Sequence, residues 1–553
     1  MEDLTGELKK IIKGEVQQDE GTLETYSTDA SLFKIKPRVV VFPRDVEDIK
    51  AIVKFVSERK KDNPDLSLTV RSGGTDMTGG TLTESIVVDV NRYLARVKEV
   101  GDDYAITEPG VYYRNFEKET LVKDLIMPSY PASREICTVG GMVSNNAGGE
   151  KTLTYGKTED YVSSIKMVLH DGNEYVFEPL NKDELDKKKS LETVEGEVYR
   201  KLFDLLDKNY ELIKKAKPNV SKNSAGYYLW NVWDREKQIF DIPKLIVGSQ
   251  GTFGVITEIT FKLIHPKKHS TLLIIFLKDL KDLGRVVSKV LQHNPESFES
   301  YDDHTLKIAL RYLPDLIKLL GTKNLISLGI EFLPEFWMAV TGGMPKLFLE
   351  AEFTGDSEEE IYRKANAANE SLKEFKLKTR ITKGKTQEEA DREEKKYWTV
   401  RRESFNLLRH HAHGRRTAPF IDDIVVRPER LPEFLPRLNE VMDEYDLIYT
   451  IAGHVGNGNF HIIPLMKLKD PMAGKVISEL SRKVYDLVIE FGGSITAEHN
   501  DGLIRSPFLK QMYGEEVYKL FEETKYIFDP DNIFNPGKKV NSDFSYALEH
   551  LAI

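Results

Sequence analysis

The segment Ile451-Ala452-Gly453-His454-Val455-Gly456-Asn457-Gly458-Asn459-Phe460-His461-Ile462 carries the spacing with the clearest chemical consequence. Strand-like residues flank the glycines, so a hairpin turning at Gly456 and Gly458 would bring His454 and His461 to one end, close enough to share an ion. Further along, Glu498-His499 follows a stretch that reads as a strand. Two imidazoles and a carboxylate leave open positions on a divalent metal, where substrate oxygens can be polarised. One more imidazole titrates near neutral pH and can take a proton. The same side chains could equally be buried histidines satisfied by protein partners.

Three glycine clusters carry a second kind of chemistry. Arg71-Ser72-Gly73-Gly74-Thr75-Asp76-Met77-Thr78-Gly79-Gly80 follows an expected strand, and small residues there let successive backbone N–H groups converge on phosphate oxygens. The segment from Thr138 to Gly149 combines glycines with the hydroxyl and amide groups of Ser144, Asn145 and Asn146. Gly248-Ser249-Gln250-Gly251-Thr252-Phe253-Gly254 opens another strand. None has the spacing of a Rossmann fingerprint or of a Walker loop. Three phosphate-suited loops within one unit imply an extended ligand with several polar parts, and a dinucleotide fits.

The elements that must position these residues follow from periodicity. DVEDIKAIVKFVSERKK carries Ile49, Ile52, Val53 and Val56 on one stripe, with acids first and bases last, which predicts a surface helix. Strands are expected at SLTVRSGG and SIVVDV, then across an Asp171-Gly172 hairpin turn, and on both sides of the third glycine loop. Loops should dominate from 128 to the hairpin. Beyond a boundary near 266, LLIIFL and LFLEAEFTG alternate with long amphipathic helices, and GGSITAEH reads as a strand. That pattern predicts an antiparallel sheet with helices on one face.

With 553 residues, 40% hydrophobic and 30% charged, the chain has the composition of a multi-domain globular protein. Its net charge of −10 gives no electrostatic footprint for nucleic acid. A single cysteine, Cys137, cannot build an iron–sulfur cluster and reads as a small buried hydrophobe, so redox chemistry needs another carrier. Neither an export signal nor a transmembrane segment is expected; the location expected is cytoplasmic, free or peripheral at the inner face of a membrane.

Taken in order, RSGGTDMTGG, TVGGMVSNNAGGEKTLTYG, KNSAGYYLW, LIVGSQGTFGVITEI, GHVGNGNFH, AEHNDG and FDPDNIFNPGK closely resemble the FAD-linked D-2-hydroxyacid dehydrogenases of the vanillyl-alcohol-oxidase type, from about residue 30 to 540. The resemblance implies an α+β fold: a helical segment over 1–33, a two-subdomain FAD-binding domain over 34–266, an α+β cap with an antiparallel sheet over 267–510, and a C-terminal segment, 511–553, returning to the FAD domain. It implies cofactor contacts from Ser72, Gly73, Gly74, Thr75, Asp76 and Thr78, from Thr138, Gly140, Gly141, Ser144, Asn145, Asn146, Gly148, Gly149 and Gly156, and from Gly254, Ile256 and Asn535. Thr75 stands where some relatives attach the flavin through a histidine, which implies non-covalent FAD. In the family the matching His, His and Glu hold a divalent metal (zinc, iron or manganese), which assigns His454, His461 and Glu498 as ligands and His499 as the base.

Oxidising a 2-hydroxy acid also needs a planar cation for the substrate carboxylate. Trp398-Thr399-Val400-Arg401-Arg402-Glu403 resembles the family segment that supplies it, which points to Arg401, with Arg402 one position away. Three positions depart from the family pattern: Asn457 for Asp, Asn500 for Gly, and Ile421 where dicarboxylate-oxidising relatives place Lys. The expected substrate is therefore D-lactate, ahead of glycolate and D-2-hydroxyglutarate. Electrons would leave to a quinone, an electron-transfer flavoprotein or a separate iron–sulfur subunit; a homodimer is left open. The alternative is an FAD transferase resembling alkylglycerone-phosphate synthases, which the tract His410-His411-Ala412-His413 would support.

Overall fold

The computed structural model describes residues 3–303, 345–383, 389, 393–395, 397–398 and 415–552. Its front half holds two larger sheets and a small one of Trp233–Asp234, Ile239–Asp241 and Pro179–Leu180. In the first, strands Val39–Phe42 and Leu68–Arg71 flank Ile86–Asp89 in parallel, and Val39–Phe42 and Ile86–Asp89 are rich in valine and isoleucine because they are buried throughout. Helix Val46–Arg59 lies against this sheet; its N-cap Asp45 accepts the Asp48 N–H, and Ile49, Ile52, Val53 and Val56 point into the core as the stripe requires. The second sheet is antiparallel, running Val97–Val100, Tyr104–Thr107, Val255–Lys262, Val162–Val168, Glu174–Phe177, with Gly172 at positive φ in its hairpin turn.

The back half is an eight-stranded sheet, antiparallel at every described pairing, with the order Lys378–Ile381, His269–Leu277, Leu347–Gly355, Ser297–Asp302, Ile448–His454, Asn459–Met466, Arg416–Thr417; Ile424–Val425 also pairs with Asn459–Met466. Strand alternation gives it two different faces. Leu273, Ile275, Leu349, Ala351, Phe353 and Phe298 pack in one core with helices Leu283–Leu291, Glu358–Ser371, Leu431–Asp443 and Ala473–Glu490. The alternate positions include Glu299, Tyr301, Glu350 and Glu352, all buried. After the helix Leu509–Phe528 the chain returns to the front half, where Leu68 N–H donates to Ile533 O at 2.7 Å and Asn535 N–H to Leu68 O at 2.8 Å.

Four local expectations are corrected. The first 33 residues are not wholly helical, because Glu15–Gln17 pairs with Val39–Phe42 and covers an edge of the first sheet. The second glycine cluster is not loop throughout: Thr138 caps a short helix, Val139–Asn145, by accepting the Gly141 N–H. Pro243 starts a helical turn, Pro243–Ile246, in place of the strand expected before the third loop. GGSITAEH forms only a single bridge, Ser494 with Val425, and no strand, since the N–H groups of Ala497, Glu498 and His499 go to a carboxylate described below instead of to a neighbouring ladder.

Candidate active site

The three glycine loops meet around one open cavity. Of the residues expected there, Ser72, Gly73, Gly74, Thr75, Asp76, Thr138, Gly140, Gly141, Ser144, Asn145, Gly254 and Ile256 line it. Gly140 admits no side chain: a Cβ would lie 2.5 Å from Pro109. The loops are braced from behind. Asp76 accepts the N–H groups of Thr78 and Gly80 at 2.9 and 2.7 Å, and Thr138 Oγ1 donates to Ser72 Oγ at 2.6 Å.

The remaining expected positions lie outside the cavity wall. Thr78 supports Asp76. Asn535 donates to Gly80 O and Gln250 O at 2.8 and 2.7 Å, so it ties together two wall residues. Gly149 sits where a Cβ would lie 2.2 Å from Tyr130 O, and Gly156 turns the chain at φ 74°. Gly148 abuts the cap, since its Cβ would lie 3.1 Å from Glu498 Oε1. Asn146, in the left-handed region, accepts the Glu159 N–H, while its buried Nδ2 has no protein partner. Walls built from glycines and from the hydroxyl and amide groups of Ser72, Thr75, Thr138, Ser144, Asn145 and Gln250 fit a dinucleotide.

The cap's histidines gather around Glu498, the residue that abuts Gly148. Ile448–His454 and Asn459–Met466 form the expected hairpin with Gly458 at φ 70°, and the His454 and His461 rings stand 5.3 Å apart. His454 Nε2 lies 3.4 Å from Glu498 Oε2, and the His461 and His499 rings stack at 5.1 Å. Each imidazole is oriented by a carboxylate: Glu299 Oε1 stands 2.6 Å from His454 Nδ1, Asp422 Oδ1 3.1 Å from His461 Nδ1, and Asp422 Oδ2 2.8 Å from His499 Nδ1. Hydrogen bonds at Nδ1 of His454 and His461 leave Nε2 as the working nitrogen, the arrangement found in carboxylate–histidine–metal centres, while His499 Nδ1 only faces Asp422 across a close contact.

Asp423 lies in the same group, with ligand atoms of Asp423, His461, Glu498 and His499 all within 4.8 Å of one another. Its oxygens are already committed. Oδ2 accepts Thr496 Oγ1 and the N–H groups of Ala497, Glu498 and His499 at 2.7 to 2.9 Å, and Oδ1 accepts Asn459 Nδ2 at 3.2 Å. Asp423 therefore shapes the turn that presents Glu498 and His499. Of the expected ligands, His461 and Glu498 fall in that group, while His454 lies outside it, facing Glu498 Oε2, and Glu498 Oε1 is taken by Lys222 Nζ. Two imidazoles and a carboxylate are donors of the kind a divalent metal takes.

Charge is distributed unevenly here. Burial pushes the His499 imidazole down, but Asp423 and Asp422 outweigh it and raise the group to about 9. Burial pushes Glu498 up, and Lys222 and His454 overcome it, holding the carboxyl well below its usual range. Asn500, the residue after His499, has φ 69°, and its Nδ2 donates to Asn145 O and Gly248 O at 3.1 and 2.9 Å. The residue thus keeps the left-handed backbone a glycine would allow and adds a clasp onto two cavity loops. Ile421 is fully buried in the cap core.

Arg401, Arg402 and the His410–His413 tract lie outside the described residues. Sequence reasoning missed Asp422, Asp423, Glu299 and Lys222. The first two stand together directly after Ile421 and Lys222 opens the KNSAGYYLW motif, but no spacing links any of them to the histidines.

Two family models match the chain: "FAD binding domain" over residues 37–177 and "FAD linked oxidases, C-terminal domain" over 266–539. The chain belongs to the FAD-linked oxidases. FAD is accordingly the cofactor of the front half. The chain is 27% identical over 529 residues to a D-2-hydroxyglutarate dehydrogenase of Pseudomonas putida, a match covering 95% of this chain and 50% of that protein. The chain thus spans about half the length of several curated relatives it matches. A D-lactate dehydrogenase of Archaeoglobus fulgidus is 26% identical over 547 residues, covering 97% of this chain and 98% of the relative. Among solved structures, 4-ethylphenol oxidase from Gulosibacter chungangensis (TM-score 0.67, 15% identity, 98% of this chain and 97% of that one) and an alkyldihydroxyacetonephosphate synthase (0.63, 15%, 96% and 84%) share the fold. Among the described residues no helix is long and apolar enough to cross a membrane.

Proposed function

We propose that this protein oxidises a D-2-hydroxy acid to the 2-oxo acid, with D-lactate preferred to glycolate and D-2-hydroxyglutarate. The observation that carries the reading is the clustering of His461, Glu498 and His499, with His454 facing Glu498 and Glu498 itself lying against Gly148 of a loop that braces the cofactor cavity. Bound non-covalently beside Thr75, FAD would accept the hydride, and a divalent zinc, iron or manganese ion on His454, His461 and Glu498 would polarise the substrate hydroxyl.

The protein's own groups do the rest. In its neutral form His499 takes the hydroxyl proton at Nε2 while Asp422 faces its Nδ1, and the Asp423 turn fixes the ring's backbone. Arg401 receives the substrate carboxylate through paired N–H donors, with Arg402 as its neighbour. Apolar Ile421, where the dicarboxylate-oxidising pattern has Lys, favours a monocarboxylate, and the Archaeoglobus relative named for D-lactate matches over nearly its whole length. Electrons pass to an external quinone, electron-transfer flavoprotein or iron–sulfur subunit, since one cysteine builds no cluster. The location that suits such acceptors is cytoplasmic or peripheral at the inner membrane face.

Mixing the anaerobic, FAD-loaded protein with D-lactate, glycolate and D-2-hydroxyglutarate in turn tests this. Bleaching of the yellow flavin fastest with D-lactate is expected. Colour that persists with every acid would end the dehydrogenase reading in favour of a flavin transferase.

A further inference from the structure

Lys222 has no part in the proposed reaction, yet its side chain is fully buried at the centre of the site. Its Nζ donates to Glu498 Oε1 in a short contact and to Gly149 O at 3.3 Å. A buried ammonium is tolerated only with a carboxylate to face it, and a buried carboxylate needs a cation in return. The other nearby lysine is spent elsewhere: Lys157 Nζ donates to Asn223 O and Ala497 O at 2.9 and 2.6 Å and to Ser224 Oγ. Lys222 is thus the lysine that answers Glu498, whose second oxygen faces His454 Nε2.

We propose that Lys222 is an internal counter-ion that occupies Glu498 when no metal is bound, so that metal uptake is an exchange of cations and Lys222 sets the affinity. The proposal rests on the assignment of His454, His461 and Glu498 as ligands. A dication reaching Glu498 must draw Oε1 from the ammonium or share the carboxylate with it, and either way it meets a like charge at short range. Removing that charge tightens metal binding. It also strands a buried carboxylate in the metal-free protein, which should then depend on metal to stay folded.

The test uses FAD-loaded wild type, Lys222→Gln and Lys222→Arg, stripped with a chelator and titrated with Zn²⁺ against a competing chromophoric chelator. Melting is followed with and without Zn²⁺. Lys222→Gln should bind Zn²⁺ at least about tenfold tighter than wild type, melt lower when metal-free and recover with Zn²⁺, while Lys222→Arg stays near wild type. Unchanged or weaker Zn²⁺ binding by Lys222→Gln would overturn the proposal. So would a Lys222→Gln protein that fails to fold even when expressed with Zn²⁺, since metal would then not replace the ammonium. Absence of Zn²⁺ binding by wild type would overturn the ligand assignment and this proposal together. A flavin that no hydroxy acid bleaches would sink the reaction but leave the cation exchange standing.

Discussion

Asp423 Oδ2 accepts the backbone N–H of His499 at 2.7 Å, and the same oxygen takes the N–H groups of Ala497 and Glu498 and the hydroxyl of Thr496. One buried carboxylate therefore builds the turn that carries both a ligand and the base. Asp423→Asn keeps the shape but loses the charge and places a donor against donors. It should destabilise the protein by about 3–5 kcal/mol. It should also slow flavin reduction at least about a hundredfold, as a catalytic group displaced by an ångström would. Urea unfolding and anaerobic stopped-flow read the two effects separately.

Asn500 joins that turn to the cofactor cavity, with φ 69° and its amide on Asn145 O and Gly248 O. Asn500→Gly preserves the backbone conformation and removes two hydrogen bonds, so it should weaken FAD retention by roughly tenfold with little strain. Asn500→Ala loses the same bonds and adds about 1 kcal/mol of left-handed strain. Equilibrium dialysis of FAD against both variants checks the order, wild type tightest and Asn500→Ala weakest.

The ligand set makes a simple stoichiometric demand. Purified wild type should carry close to one divalent metal per chain, and His454→Ala/His461→Ala should carry almost none, because a single carboxylate holds a dication poorly in competition with water. Equal metal content by elemental analysis would dismiss the centre. Glu299→Gln, which weakens the partner on His454 Nδ1, should cost about tenfold or more in metal affinity.

His499 gives the metal-free protein a pH signature. Its pKa in the folded protein, about 9, stands above the unfolded value near 6.5, so charged His499 stabilises the fold. That contribution is complete below about pH 6.5 and disappears as pH rises through about 9. Melting curves of chelator-treated wild type should fall across this window more than those of His499→Gln. Added Zn²⁺ should move the fall to lower pH, since a nearby dication disfavours the charged ring.

Much of this centre could be read from the chain because its signals are local. The 454–461 hairpin announces itself through glycines flanked by strand-like residues, and the three loops through runs of small residues after strands. What escaped the sequence is non-local. Asp423 reaches the 496–499 turn, and Lys222 reaches Glu498, across long stretches of chain with no periodicity to link them. For the same reason GGSITAEH looked like a strand: alternation reports side-chain faces, not where a buried carboxylate will collect the backbone N–H groups.

The central claim is that the cap acts on a 2-hydroxy acid held over the flavin of the front half, with His499 as the base. Its most direct measurement is the rate of anaerobic flavin bleaching by D-lactate and L-lactate in wild type and His499→Gln, each shown first to hold FAD. The account predicts rapid bleaching by the D-enantiomer alone and a loss of at least about a hundredfold in the variant. Equal rates in wild type and variant, or equal rates for the two enantiomers, would contradict it.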